Sequence, residues 1–314
     1  MRAVRFSAYG PPSVVEVAEV PPPHAGAGEI RIAVRTSAIS PGEIRLRSGE
    51  LRDVVPVRFP FRTGFDAAGV VDEIGAGVTG VSGLSGVSLG DPVFGMAPAA
   101  TRGANADFAV LAAWAPKPPA WSWAEAGGAA GAVETATRVL DRLAVRAGQT
   151  VLIHGAAGGT GSVAVQFATA RGARVIGTAS VANHDFLRSL GAEPTTYGPG
   201  LVERVRALAP SGVDAVFDCA GGALPDLVAL AGAASVVTIA DFAAAAHGVH
   251  MSHSAPNTPG ADPLALHGLP VAVTLAAEGR LRIPVAATFP LAEVAAAHEL
   301  SESRHARGKI VLQH

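Results

Sequence analysis

In the first third of the chain, apolar and polar positions alternate. The segments Val14 to Val20 and Glu29 to Ser37 carry that period of two, which suits strands that bury one face and expose the other. Pro21 to Pro23 and Gly26 to Gly28 separate them as turns. Ala67 to Ile74 is another predicted strand, and turns at Gly75 and Gly77 come before a further one at Asp91 to Phe94. Thr79 to Gly90 is longer and richer in Gly and Ser than a tight turn needs, so a mobile surface loop is expected there. Met1 to Ser7 has no apolar signal core and reads as the first strand.

From about Trp121 the period lengthens. Ser122 is placed to cap a helix running to Gly131, and a second helix covers Thr135 to Leu143, with Val139 and Leu143 on one face. Strands are predicted at Val151 to Ile153, Arg174 to Ala179, Ala215 to Asp218 and Ser235 to Ala240. A helix opening near Ser162 puts Val163, Phe167 and Ala170 on a sheet-facing side. Asn183 is expected to cap another, with Phe186, Leu187 and Leu190 inward and Gly191 as its stop. This rhythm predicts an α/β fold, a doubly wound parallel sheet with helices on both faces. The tail changes back, with a strand at Val285 to Phe289, a helix at Leu291 to Leu300 and a last strand over Gly308 to Leu312. Two domains are expected, one from residues 1–120 with 285–314 and one from 121–284, without internal repeats.

The segment Thr150 to Ala168 carries the strongest chemical signal. A buried strand leads into Gly155-Ala156-Ala157-Gly158-Gly159-Thr160-Gly161, and a helix leaves it. Backbone N–H groups at a helix start, uncovered by side chains, suit a phosphate. The spacing Ala156-x-Gly158-x-x-Gly161 is a variant of the dinucleotide fingerprint with Ala at its first glycine. Ala156, Ala157, Gly158, Gly159, Thr160 and Gly161 are therefore the candidate cofactor cradle.

Composition narrows the partners more than the chemistry. The 314 residues are 49% hydrophobic and 16% charged, with a net charge of −2. That describes a soluble globular protein with no electrostatic case for nucleic acid or an anionic membrane. No apolar run approaches about 18 residues, so no membrane span is expected and a cytoplasmic location follows. The single cysteine, Cys219, excludes an intrachain disulfide and a multi-cysteine zinc cluster. Ending an apolar run, it reads as a buried thiol rather than a nucleophile. His247, His250 and His253 recur every third residue, yet the flanking alanines and Ser254 to Gly260 favour a loop over a metal site.

Five motifs in one order run through the chain: Met1-x-Ala3-Val4, Gly64 to Gly69 (Gly-Phe-Asp-Ala-Ala-Gly), Gly90 to Gly95 (Gly-Asp-Pro-Val-Phe-Gly), the turn at 155–161, and Gly308 to Leu312 (Gly-Lys-Ile-Val-Leu). Together they resemble the zinc-independent quinone oxidoreductase (zeta-crystallin-like) branch of the medium-chain dehydrogenase/reductase superfamily. The resemblance implies a GroES-like partial β-barrel from both chain ends, a Rossmann domain between, a homodimer, and a small-molecule substrate. It also implies NADPH-dependent reduction of quinones or of the C=C bond of enones. A zinc alcohol dehydrogenase needs a Cys after the second strand and a His-Glu pair in the next glycine turn. Those places hold Ile39-Ser40-Pro41-Gly42-Glu43 and Phe65-Asp66, so no metal site is assigned.

An NAD site places a carboxylate at the end of its second strand, to accept from the ribose 2′-OH. Here that strand ends Gly177-Thr178-Ala179-Ser180, with no acid before Asp185. Ser180 can donate to a 2′-phosphate that a carboxylate would repel, which favours NADP(H). By resemblance, Tyr197 and Arg304 also reach this phosphate, and His184 falls where some relatives carry Lys. Thr135 and the backbone of Ala240 and Asp241 would meet the nicotinamide. Arg304 reads equally as a helix-end charge, and His184 as a solvated helix residue.

Candidates near the reacting carbon are Ser40, Glu43, Arg45 and Thr135. Ser40 stands where relatives often have Asn. Arg45 is open between steadying an oxyanion and being an exposed charge beside Arg47. Glu43 is open between relaying a proton and capping a short helix. Relatives carry Gly-x-Tyr-Ala-Glu-Tyr where this chain has Gly103 to Phe108, so Asn105 replaces an aromatic near the substrate. With Tyr9 and Tyr197 the only tyrosines, a Tyr general acid is not expected. Three functions stay open: an NADPH-dependent quinone or enone reductase, a biosynthetic reductase or cyclase acting on a natural-product intermediate, and a low-turnover NADPH-binding sensor or structural protein.

Overall fold

A computed structural model describes residues 1–78, 86–255, 258 and 260–314; within the expected loop from Thr79 to Gly90, residues 79–85 lie outside the described residues. The chain divides into one unit of Met1–Gly131 with Leu266–His314 and another of Ala132–Ala265. Residues 121–131 and 266–284, expected in the nucleotide domain, thus fall in the first unit. Trp121 shows why, since its indole N–H donates to Leu281 O at 3.2 Å within that unit.

The first unit opens with β1 (Arg2–Phe6) antiparallel to β2 (Val15–Glu19). Next comes β3 (Ile30–Ile39), whose Ile30, Ile32 and Val34 are buried as the alternation predicts. Helix α1 (Pro41–Ser48) follows directly. The short β4 (Phe61–Arg62) joins the free edge of β1, and β5 (Asp66–Ile74), β6 (Pro92–Met96), β7 (Phe108–Leu111) and β8 (Ala113–Pro116) extend the larger sheet. One edge of β3 is taken by β5; the other is shared, β7 facing Ile30 to Ala33 and the chain's last strand facing Thr36 to Ile39. Ser122 does cap the following helix, α2 (Trp123–Gly127), its hydroxyl accepting the Glu125 N–H at 3.2 Å. That helix stops at Gly127 rather than Gly131, and position 127 has room only for glycine, since a side chain there would run into Thr36 of β3. Helix α3 (Ala130–Arg142) starts anew.

The second unit alternates β9 (Thr150–His154), α4 (Gly161–Ala170), β10 (Arg174–Thr178), α5 (His184–Ser189), β11 (Ala192–Thr195), α6 (Leu201–Leu208), β12 (Ala215–Asp218), α7 (Leu224–Ala231), β13 (Val236–Thr238) and β14 (His250–Met251). Its described strands lie in the order β11-β10-β9-β12-β13-β14, every pairing parallel. This is the expected doubly wound sheet, and its order reverses between β9 and β12, where such sheets bind ligands. Two local expectations change. Asn183 does not cap α5; its amide donates to Ser180 Oγ at 3.2 Å. Phe186 is only half-buried, while Leu187 and Leu190 are inward.

The tail supplies α8 (Gly268–Ala277), β15 (Val285–Pro290), α9 (Val294–Glu302) and β16 (Lys309–Gln313), with β16 antiparallel to β3. Helix α9 packs on α1. There Arg47, fully buried, donates to Gly10 O at 2.5 Å and to the Glu302 carboxylate. His298 lies beside it with neither ring nitrogen bonded among the described residues. Burial, and then the Arg47 charge, push its pKa down to about 4. No described helix is long and apolar enough to cross a membrane.

A histidine held neutral makes stability depend on pH. Unfolded, it takes a proton near 6.5; folded, only near 4, so stability is full above 6.5 and falls as the pH drops towards 4. The difference amounts to about 3 kcal/mol. His298→Leu is expected to flatten the acid limb of Tm plotted against pH; an unchanged slope would assign that limb to other groups.

Candidate functional site

At the carboxyl end of β9 the chain must turn sharply and enter α4. Gly155 makes the turn, with φ at +76°. Ala156, first in the fingerprint, is fully buried and faces Gly177 of β10, which has no side chain to compete with its methyl group. Gly161 opens α4 so close to β9 that a Cβ would strike the Gly155 carbonyl. Gly158 differs, since a Cβ there would meet nothing nearer than Gly155 O at 3.4 Å. The fold therefore does not require glycine at 158, and its bareness leaves the backbone open to a ligand. Ala157 to Thr160 form a half-exposed rim, and the Gly159 and Thr160 N–H groups have no acceptor among the described residues. Such N–H groups at a helix start suit a pyrophosphate.

Beneath this rim the strand ends are tied together. Thr178 Oγ1 accepts the Gly155 N–H at 3.0 Å and lies 2.8 Å from His154 Nδ1. Burial lowers the pKa of His154, against the pull of Asp218. Asp218 accepts the N–H groups of Ala220 and Gly221 at 3.0 and 2.9 Å and the Thr238 hydroxyl at 2.7 Å. Thr238 Oγ1 in turn accepts the Ala240 and Asp241 N–H groups, both at 3.0 Å. These two nicotinamide candidates thus have their N–H groups turned inward.

Thr135, half-buried on α3, has its hydroxyl 3.3 Å from Glu134 Oε2. Sequence reasoning missed what surrounds it: a buried Glu134–Arg138 pair at 2.8 Å, with Arg138 also bonded to Ser252. Asp262 accepts from Ser252 at 2.6 Å and lies 2.9 Å from His250 Nε2. His250 belongs to this network, and no group of three or more metal-ligating side chains occurs among the described residues. Cys219 is half-buried as a residue, and burial pushes its thiol pKa well up.

At the end of β10, Ser180 accepts from Asn183, which leaves its own O–H to donate. The next acid, Asp185, has its side chain 97% exposed and paired with Arg188 at 2.6 Å. Thr178 stands opposite Thr195, and the Ala179 N–H donates to Thr195 O at 3.0 Å, so the register brings Ser180 level with Tyr197. Tyr197 is exposed on a loop whose carbonyls at Thr196, Gly198 and Pro199 are all held by Arg204. His184 lies at the start of α5, its Nε2 buried without a partner among the described residues. Arg304 is exposed in the first unit, with a left-handed backbone at φ 57°.

In the first unit, Ser40 and Glu43 form a capping box on α1. Ser40 Oγ accepts the Glu43 N–H at 3.3 Å, and Glu43 accepts the Ser40 N–H at 3.1 Å and the Gly64 N–H. Burial raises the pKa of Glu43, with Arg102 opposing. Both of its oxygens are occupied, which favours the capping role over a proton relay. Asn105, expected near the substrate, is fully buried and donates to Thr63 Oγ1 at 2.9 Å. Glu43, held by Ser40, and Asn105 therefore converge on one turn, Thr63 to Asp66. Arg45 does not; it lies 3.6 Å from Glu50. Its neighbour Arg47 is fully buried. Asp66 accepts from Gly131 N at 2.8 Å and Lys309 Nζ at 3.2 Å; burial raises its pKa and Lys309 draws it back. The turn presents Phe65, with the Arg102 guanidinium 5.1 Å over its ring. Neither residue stood out in the sequence.

Two family models match the chain, an alcohol dehydrogenase GroES-like domain over residues 26–141 and a zinc-binding dehydrogenase over residues 190–312. A chloroplastic quinone oxidoreductase of Triphysaria versicolor is 32% identical over 231 residues, which cover 70% of this chain and 68% of that protein. A spectinabilin polyketide synthase protein of Streptomyces orinoci is 34% identical over 230 residues; the match takes in 71% of this chain but spans only 10% of the synthase. A mycobacterial protein solved in complex with NADPH superposes over the whole of both chains, with a TM-score of 0.81 and 27% identity.

The two glycines of the turn separate folding from binding. Gly161→Ala is expected to lower stability by about 1–3 kcal/mol through overpacking. Gly158→Ala should melt with the native protein yet bind a nicotinamide dinucleotide several-fold more weakly. Thermal unfolding and cofactor titration check both, and a Gly158→Ala protein that binds normally would remove the turn from the cofactor site.

Proposed function

We propose that this chain, which belongs to the quinone oxidoreductase branch of the medium-chain dehydrogenase/reductase superfamily, is an NADPH-dependent reductase of quinones or of the C=C bond of α,β-unsaturated carbonyls, working without a metal ion. The observation that carries the choice of cofactor is the end of β10, where Ser180 offers a donor and the first acid, Asp185, is turned out to Arg188. A 2′-phosphate is compatible with that strand end, whereas a 2′-hydroxyl finds no acceptor carboxylate. Bound there, the dinucleotide supplies the hydride.

The chain's own residues bind and orient. The rim at 157–160 takes the pyrophosphate, Ser180 and Tyr197 the 2′-phosphate, and Thr135 the nicotinamide amide, its hydroxyl steadied by Glu134 and Arg138. The donors at the zinc positions argue against a metal. Phe65 has none, and Asp66 is committed to Lys309 and Gly131. Protonation falls to water, because Glu43 is occupied and Tyr9 packs edge-on against Phe59 at 5.0 Å. The match to a polyketide synthase supports a second reading, reduction of an enoyl thioester on a biosynthetic intermediate.

Steady-state turnover of NADPH and NADH against 1,4-quinones, enones and an enoyl thioester tests both readings. NADPH is expected to be preferred, and Ser180→Asp to weaken it by about 10-fold or more while sparing NADH. Preference for NADH in the native protein would overturn the cofactor assignment, and oxidation of neither would leave a nucleotide-binding protein.

A further inference from the structure

Two arginines beside Gly103, Arg62 and Arg102, are paired with no acid among the described residues. Arg62, on β4, folds across it, with Cζ 3.6 Å from where a Gly103 Cβ would stand. Arg102, the residue before, has its Cζ 5.1 Å over the Phe65 ring. Neither forms an ion pair or a side-chain hydrogen bond among the described residues. The contrast lies nearby, where Arg2, Arg5 and Arg31 hold Asp107, Glu16 and Asp72 at 2.8, 2.7 and 3.0 Å.

The surroundings work against leaving these charges bare. Arg5 stands directly across the ladder from Arg62, and its Glu16 is already engaged; like charges so placed weaken a strand pair. Arg102 adopts φ 49°, a left-handed backbone unfavourable to any residue but glycine. The opposite charges on Glu43 and Asp66 feel Arg102 but sit buried with partners of their own, Gly64 and Lys309. Phe65 holds Arg102 by its ring face, which fixes a cation without cancelling it. Gly103, at φ 99°, leaves the backbone between the two arginines without a side chain.

We propose that Arg62 and Arg102 form an anion subsite in the first unit, which holds a carboxylate or phosphate group carried by the substrate. Both anions present the paired oxygens that a guanidinium fork recognises. The word substrate rests on the reductase reading above; anion binding itself needs no turnover.

Calorimetric titration of the cofactor-free protein with a naphthoquinone carboxylate, its methyl ester and a naphthoquinone phosphate monoester tests this. One or both anions should bind about 10-fold tighter than the ester, the gap narrowing as salt is raised, and the tighter of the two identifies the anion. Arg62→Gln and Arg102→Gly should each bring the anions down to the ester's affinity. Arg102→Gly relieves the left-handed backbone but removes a charge that Glu43 and Asp66 feel, so each variant should keep the native affinity for the ester, which keeps lost anion binding apart from lost folding. Equal affinity of all three ligands for the native protein overturns the proposal, as does a preference that survives both substitutions. Selective anion binding with no NADPH oxidised on these quinones would leave the subsite standing and sink the reductase reading instead.

Discussion

The carboxylate of Asp66 and the ammonium of Lys309 meet inside the first unit at 3.2 Å, both almost wholly shielded from water. One begins β5 and the other begins the chain's final strand, so their meeting closes the sheet around β3. Stripping water from either charge alone costs several kcal/mol, on the order of what a domain has in reserve. The pair therefore tolerates little displacement: Gly131 N–H supplies a further bond to Asp66, and Gly308 passes so close to Pro284 that no side chain fits there. Much else follows from keeping that turn in place. Glu43 grips Gly64 from α1, Asn105 grips Thr63 from the other side, and Phe65 is left as the residue that faces outward.

The second unit solves the same problem with backbone rather than charge. Its strand ends are laced by hydroxyls and one buried carboxylate, Asp218, which accept main-chain N–H groups from the loops above and, at one Asp218 oxygen, the Thr238 hydroxyl. A turn so supported can be bare. Gly159 and Thr160 then present N–H groups at a helix start, beside the bare backbone of Gly158. The lacing also explains why a histidine and a threonine, ordinarily surface residues, end the central strands buried.

Periodicity made the strands legible, because a half-buried strand and a helix face each impose a spacing that composition cannot hide. The cofactor turn was legible for a related reason: close approach demands glycine. The unit boundary was not. Helical texture begins at about Trp121, yet α2 lies on the first unit's sheet, and no local pattern records which sheet a helix covers. Burial of polar residues was equally hidden. Arg45 and Arg47 look alike on paper, but one turn of α1 sends Arg47 to Gly10 and Glu302 beneath α9 and leaves Arg45 near Glu50. Asn105 was expected to face the substrate because an aromatic stands there in relatives, while its real constraint is the Thr63 hydroxyl. His250 was weighed only against metals, since its partner Asp262 comes after a segment whose path no sequence spacing predicts.

Two residues picked out by type as chemical, Ser40 and Glu43, have side chains that hold backbone, and Asn105 holds the Thr63 hydroxyl. A carboxylate whose two oxygens already accept N–H groups has little left for a proton in flight, and burial makes its ionised form dearer still. The hydride transfer proposed for this chain asks little of such groups. It asks that an electron-poor acceptor be held still and that charge developing on its oxygen meet something positive. Beside the turn, Lys309 is spent on Asp66, while Arg102 lies over the Phe65 ring with no ion pair among the described residues. In this fold, the scaffold is built from the acids, and what is left to act is a cation and a stretch of bare backbone.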